Sequence, residues 1–183
     1  MKKYKMTDEI ILVNGIILHR IISLKKFGII PKGRKGGFIE KESNLSQTGT
    51  AWVANDAKIY GNALVSENAC VAGDAAVYDN AKIYGNAKLS EYACVAGNAE
   101  VFNNAKIKGY AVIDGMAHIY ENAKVCYYSH ICGDAKIHGE REVRMRYRII
   151  DSGDFCWNKK NIQVILINTS LQTKKIPKKR QKN

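Results

Sequence analysis

The sequence predicts an all-β fold, a parallel solenoid assembled from six-residue units. Its spacing, its corner residues and the absence of any interruption carry that prediction. From Ala51 onward a small residue returns at every sixth position, through Ala57 and Ala63 to Ala123, Ser129 and Ala135. Two places after each stands an aliphatic residue, from Val53, Ile59 and Val65 to Val125, Ile131 and Ile137. A period of six is neither the 3.6 of a helix nor the 2 of a plain strand, so it reads as a repeat architecture. Each unit runs small, variable, aliphatic, variable, turn, turn: a short strand with two inward positions, then a corner. The corners hold Gly-Asn, Gly-Asp, Glu-Asn or Asp-Asn pairs such as Gly61-Asn62 and Asp79-Asn80. Such residues accept positive φ at low cost, which a sharp bend demands. Fifteen units follow one another to Glu140 without insertion or deletion.

The rest of the chain divides around this block. Residues 1–50 read as a cap, needed because the first layer of a solenoid otherwise exposes an edge that invites aggregation. Within the cap, Glu9 to Leu18 signals a hairpin, with Asn14-Gly15 suited to a type I′ turn. Residues 57–80 and 81–104 repeat each other, so Cys70 and Cys94 head near-identical strands by duplication and are not a pair. After Glu140, the alternation Arg141 to Ile150 reads as a strand with one cationic side, Asp151 to Asp154 as a turn, and Ile162 to Ile167 as a second strand. A C-terminal hairpin over 141–172 is therefore expected, with Arg144, Arg146 and Arg148 in one exposed row. Residues 173–183, Lys-rich and ending a polar run, read as a disordered basic tail.

The six-residue pattern resembles the hexapeptide repeat of left-handed parallel β-helices, in which three units form one triangular coil of eighteen residues. That resemblance implies five coils over 51–140. A further likeness rests on His19-Arg20-Ile21, Phe27-Gly28, the run Lys32 to Glu40 containing Gly36-Gly37-Phe38-Ile39, then Asn44-Leu45-Ser46 and Trp52-Val53. These are similar to the N-terminal cap of hexapeptide-repeat proteins often encoded in phages and prophages and labelled as transferases, and the likeness covers residues 10–140. Two features depart from it. Arg34-Lys35 stand where that family tends to carry an acidic-apolar pair, and its glycine-rich C-terminal β-domain is not recognisable in 141–183.

Charge separates the ends from the middle. Residues 1–50 carry net +6, residues 51–140 net −3 and residues 141–183 net +9, within a total of +12. Basic flanks are an electrostatic footprint for nucleic acid or another polyanion. No segment approaches the ~18 uninterrupted apolar residues of a membrane span. Met1-Lys2-Lys3 resembles the start of a signal peptide, but Asp8, Glu9, Asn14 and His19 break the apolar run that should follow. A cytoplasmic protein, in a bacterial host, is expected, with its five cysteines as thiols.

Catalytic and metal chemistry find little support. Many hexapeptide helices are acyltransferases with a catalytic histidine and a long loop protruding from one coil, but unbroken units leave no place for that loop. His118, His130 and His138 all point outward from exposed strands. Cys126, His130, Cys132 and His138 stand close in sequence, yet stacking puts only His130 and Cys132 on one face, short of the four ligands of structural zinc. No metal site and no cofactor is expected.

Stacked at eighteen-residue spacing, the outward positions form columns. The first face displays Lys88, Lys106 and Lys124, with Lys108 beside them, and its trailing corner carries Tyr92, Tyr110 and Tyr128. If those tyrosines keep positive φ, each costs ~1 kcal/mol. The third face carries Tyr84, Phe102, Tyr120 and His138. Such ladders stabilise adjacent coils. They also suit recognition, with lysines tracking a phosphate backbone while rings stack on bases, or assembly into a homo-oligomer. The expected function is a non-catalytic binding protein from a mobile element that engages a host protein or nucleoprotein, RNA among its targets, through basic flanks and the Lys/Tyr face. An anti-CRISPR-like inhibitor of an RNA-bound effector is one concrete form. An acyltransferase-like enzyme and a structural or assembly protein are the alternatives.

Overall fold

Each six-residue unit folds as a strand of two residues, such as Lys58–Ile59 or Cys94–Val95, followed by a bend. The computed structural model describes residues 1–140, 142–144, 148–149 and 154–157, and for Arg144 and the last two segments the backbone alone. Successive strands turn onto three different sheets, and every third strand pairs in parallel with the one eighteen residues before it. Lys88 and Leu89 thus lie against Lys106 and Ile107, and these against Lys124 and Val125. The result is a parallel β-solenoid, whose first and third faces are each six strands deep among the described residues.

The small and aliphatic positions both point inward. Ala57, Ile59, Ala81, Ile83, Ala105 and Ile107 are wholly buried, and the same layers repeat along the axis. Alternating small and branched side chains fill the interior of the solenoid, and each buried Val or Ile contributes ~1.5–3 kcal/mol. Ser129, the one unit that departs from Ala, is buried too; its hydroxyl donates to the Cys126 carbonyl at 2.7 Å, so the polar atom is satisfied. Backbone groups bond from coil to coil, as in Lys88 N to Ala105 O (2.9 Å) and Ser90 N to Ile107 O (3.0 Å).

The cap is as expected a hairpin, β1 (Tyr4–Val13) and β2 (Ile16–Ser23), with Asn14 and Gly15 both at positive φ in the turn. It also does more than cover the prism. β3 (Lys35–Ile39) pairs antiparallel with β2 on one side and parallel with Lys58–Ile59 on the other, so the second face grows to nine strands among the described residues. Leu45 likewise bridges Val65. The parallel stack therefore begins near residue 35, inside the segment the sequence assigns to the cap. Gly36 and Gly37 permit it: a Cβ at Gly36 would lie 2.6 Å from the Trp52 ring and one at Gly37 2.5 Å from the Ala57 carbonyl.

Side chains complete the incomplete coil. Tyr4 Oη donates to Leu45 O (2.7 Å) and Glu42 O (3.0 Å), and Asn44 Nδ2 to Ala63 O (2.8 Å) and Gly61 O (3.1 Å). Buried Lys3 donates to Ala51 O (2.9 Å) and lies over the Phe27 ring.

At the other end the structure departs from the expected hairpin. Glu142–Arg144 adds to the first face, Arg148–Ile149 to the second and Asp154–Trp157 to the third, each parallel to the coil beneath. Two segments of the basic-apolar alternation that reads as one strand thus lie on different faces, because parallel stacking continues the ladder already exposed by Lys124, His130 and Lys136. The second expected strand, 162–167, and the tail 173–183 lie outside the described residues.

Candidate functional site

Register alone builds the first-face column. Lys88, Lys106 and Lys124 are consecutive in-register partners, one coil or ~4.8 Å apart, and all three are exposed, as is Lys108 beside them. Among the described residues none of these four lysines forms a salt bridge within 4 Å, although Glu142 on the next coil is the in-register partner of Lys124. Like charges directly opposite on neighbouring strands repel, so the column opposes folding.

The third face shows the arrangement that folding favours. There the equivalent column reads Lys82, Glu100, His118, Lys136, and Lys82 Nζ meets Glu100 Oε1 at 3.0 Å. Burial raises the Glu100 carboxyl, but hydrogen bonds from Lys82 and Tyr84 outweigh it and leave the group below its ordinary value. The Tyr84 hydroxyl, which donates to Glu100 at 2.9 Å, is pushed up to about 12 by burial and by that bond. The two faces share one backbone and differ in how they manage charge.

Tyr92, Tyr110 and Tyr128 form a ladder along the corner beside the lysines. Their rings are parallel within 4°, with centroids 4.8 and 5.0 Å apart, and each is half exposed. This geometry leaves no room for a base between neighbouring rings. An inserted base needs ~7 Å between rings, two carbon–carbon contacts, and the rings occupy one another's faces. What they offer a partner between the ladder's ends is their edges. The expected backbone strain is also displaced. Positive φ falls on the first residue of each corner pair, at Glu91, Gly109 and Tyr127, and not on Tyr92, Tyr110 or Tyr128.

The other predicted residues are placed as follows. Tyr84, Phe102, Tyr120 and His138 form a second ladder with centroids 4.6–5.0 Å apart, but these rings are only partly exposed. Arg144 joins the first face, in register with Cys126, in the column that holds Lys108. Arg148 joins the second face opposite His130, so the two arginines do not form one row. Arg146 lies outside the described residues. Near the cap, an open groove of about 500 Å³ is lined by Arg20, Arg34, Lys35, Asn55 and Asp56 among others. Its charge is partly met: Arg20 holds Glu9 at 2.6 Å and Asp56 at 3.3 Å, and Lys35 holds Glu9 at 2.9 Å.

No protein-family model matches this chain, and no curated protein matches it. The histidines do not gather: His118 and His138 stand on the third face and His130 on the second. Cysteines 70, 94, 126 and 132 form no disulfide. No helix among the described residues is long and apolar enough to cross a membrane. One grouping lies beyond the sequence expectation, because it joins adjacent coils: Asp114 comes to His130 and Cys132.

Proposed function

We propose that this chain is a non-catalytic binding protein whose first face takes the phosphate backbone of a nucleic acid, free or within a nucleoprotein. The observation that carries it is the in-register column Lys88–Lys106–Lys124, which meets an acid only at its end, where Glu142 lies opposite Lys124. A fold that alternates charge on its third face keeps three like charges in register on its first, at a cost to stability that a polyanion relieves. Lys108 widens the positive strip, the Arg144 position adds a basic residue beside Glu142 on the next coil, and the tyrosine edges flank it. The resemblance of residues 10–140 to phage-borne hexapeptide proteins supports a mobile-element origin, with an RNA-bound host effector as the target. Uninterrupted coils over 51–140, with histidines divided between faces, disfavour the acyltransferase reading.

Fluorescence anisotropy with labelled single-stranded RNA over a salt series tests this. Binding should weaken linearly in log salt. Replacing Lys88, Lys106 and Lys124 together with Gln should cut the slope by about two to three, whereas Lys58→Gln should leave it unchanged. An unaltered slope in the triple variant, or no binding at low salt by the wild type, overturns the proposal; retention of only acidic proteins from a nuclease-treated extract points to a protein partner instead.

A further inference from the structure

The geometry points to a zinc-class divalent cation site on the second face, formed by Asp114, His130 and Cys132. One donor atom from each of the three lies within 4.8 Å of the others. His130 Nε2 and Asp114 Oδ2 are 2.8 Å apart, and Cys132 is buried behind them at 7% exposure. Tetrahedral bonds of ~2.0–2.3 Å set donor atoms ~3.3–3.5 Å apart. The His–Asp contact therefore opens by ~0.6 Å and the Cys132 sulfur, within 4.8 Å of the other two donors, closes by up to ~1.3 Å to admit an ion. Side-chain rotation supplies such a change, and the backbone need not move.

The solenoid explains why these three meet. His130 and Cys132, two apart in one unit, project from the same side of the strand. Asp114 stands eighteen residues before Cys132, at the same position one coil down. Backbone bonds fix the two coils against each other, from Asp114 N to Ile131 O (2.9 Å) and Val112 N to Ser129 O (2.9 Å). His130 lies on a strand, and Asp114 and Cys132 each directly follow one, so the coil-to-coil backbone bonds hold all three donors. Imidazole nitrogen, thiolate sulfur and carboxylate oxygen are the ligand set zinc takes, while the harder magnesium and calcium prefer oxygen alone. Three protein donors leave a fourth position for water.

Cobalt(II) titration of the reduced full chain tests the site, because a thiolate-to-cobalt charge-transfer band reports sulfur ligation directly. One equivalent should bind with that band at micromolar metal, and zinc should displace it. Cys132→Ser, close to isosteric, should abolish the band, and Asp114→Asn or His130→Ala should weaken affinity on the order of tenfold or more. Cys94→Ser should change nothing. A band that survives Cys132→Ser, or the absence of saturable binding by the wild type, overturns the site. Circular dichroism of each variant confirms that lost binding is not lost fold. RNA binding is read separately, so failure of this site leaves the lysine column untouched.

Discussion

Glu67 shows how single residues meet the demands of the corners. It adopts φ 57°, a conformation that costs a side-chain-bearing residue ~1–2 kcal/mol. Its carboxylate accepts a hydrogen bond from the Gly85 N–H one coil on, at 3.0 Å, and Asp79 and Glu121 do the same for Gly97 and Gly139 at 3.1 and 2.9 Å. In these three pairs an acid stands one coil before a glycine: the acid satisfies an amide that the ladder leaves free, and the glycine leaves room for the backbone. Glu67→Ala should therefore destabilise by ~1 kcal/mol more than Glu67→Gly, since both lose the bond but only Ala retains the strained φ; urea melts of the two variants decide it. Buried Lys3 gives a pH signature. Burial first, and the charge of Lys25 second, lower its pKa to about 8 from 10.5. Below pH ~8 folded and unfolded chains are both protonated there and the fold bears the full cost of the buried charge. Between the two values the unfolded chain holds more protons, so stability rises with pH. Measured at ~pH 7 and ~pH 10, wild type should gain stability relative to Lys3→Met. The sequence displays the corner glycines and acids plainly, but not which residue of each pair bends. Composition alone therefore assigns strain to Tyr92, Tyr110 and Tyr128, where the backbone assigns it to Tyr127.

At the level of strands, meaning comes from the residue eighteen positions away. Exchanging charge within the first-face column tests the contrast between faces. Lys106→Glu places an acid between Lys88 and Lys124 and should stabilise the fold by ~0.5–1 kcal/mol, while weakening RNA binding and flattening its salt dependence. A variant more stable yet less able to bind marks a column kept for function; unchanged RNA affinity contradicts the proposed role. In the tyrosine ladder the middle rung has two neighbours and Tyr92 has one. Tyr110→Ala should thus cost about twice what Tyr92→Ala does, at ~0.5–1.5 kcal/mol per stacked pair, read by thermal melts. The columns themselves are legible in the sequence once the coil length is known. Two consequences are not. Rings at coil spacing satisfy one another and exclude bases, and a triad drawn from two coils, Asp114 with His130 and Cys132, is scattered when read along the chain. The C-terminal departure has the same origin: Arg144 to Arg148 has strand alternation, yet the open ladder of the last coil recruits its two ends to different faces.

For the whole molecule, each coil contacts only the coils above and below, so stability is a sum of neighbouring interfaces and not one global core. The six-residue beat makes this architecture readable from Ala51 to Glu140, whereas the cap is readable only in part. Its hairpin has a turn signature, but its role as an added coil depends on Lys3, Tyr4 and Asn44 replacing backbone partners, which no periodicity reveals. One-dimensional energetics give the cap a distinctive prediction. Tyr4→Phe removes the bonds to the Leu45 and Glu42 carbonyls, leaves the ring in place, and should cost ~1–3 kcal/mol because the Leu45 acceptor is buried. In a globular core that loss would spread across all the slowest-exchanging amides. Here it should concentrate where the cap joins the prism. Hydrogen exchange should accelerate for amides of β3 and of the Leu45–Val53 segment, and remain near wild-type rates from Lys88 to Ile119. Uniform acceleration along the axis would instead show that the solenoid unfolds as one unit, with the cap as its nucleus.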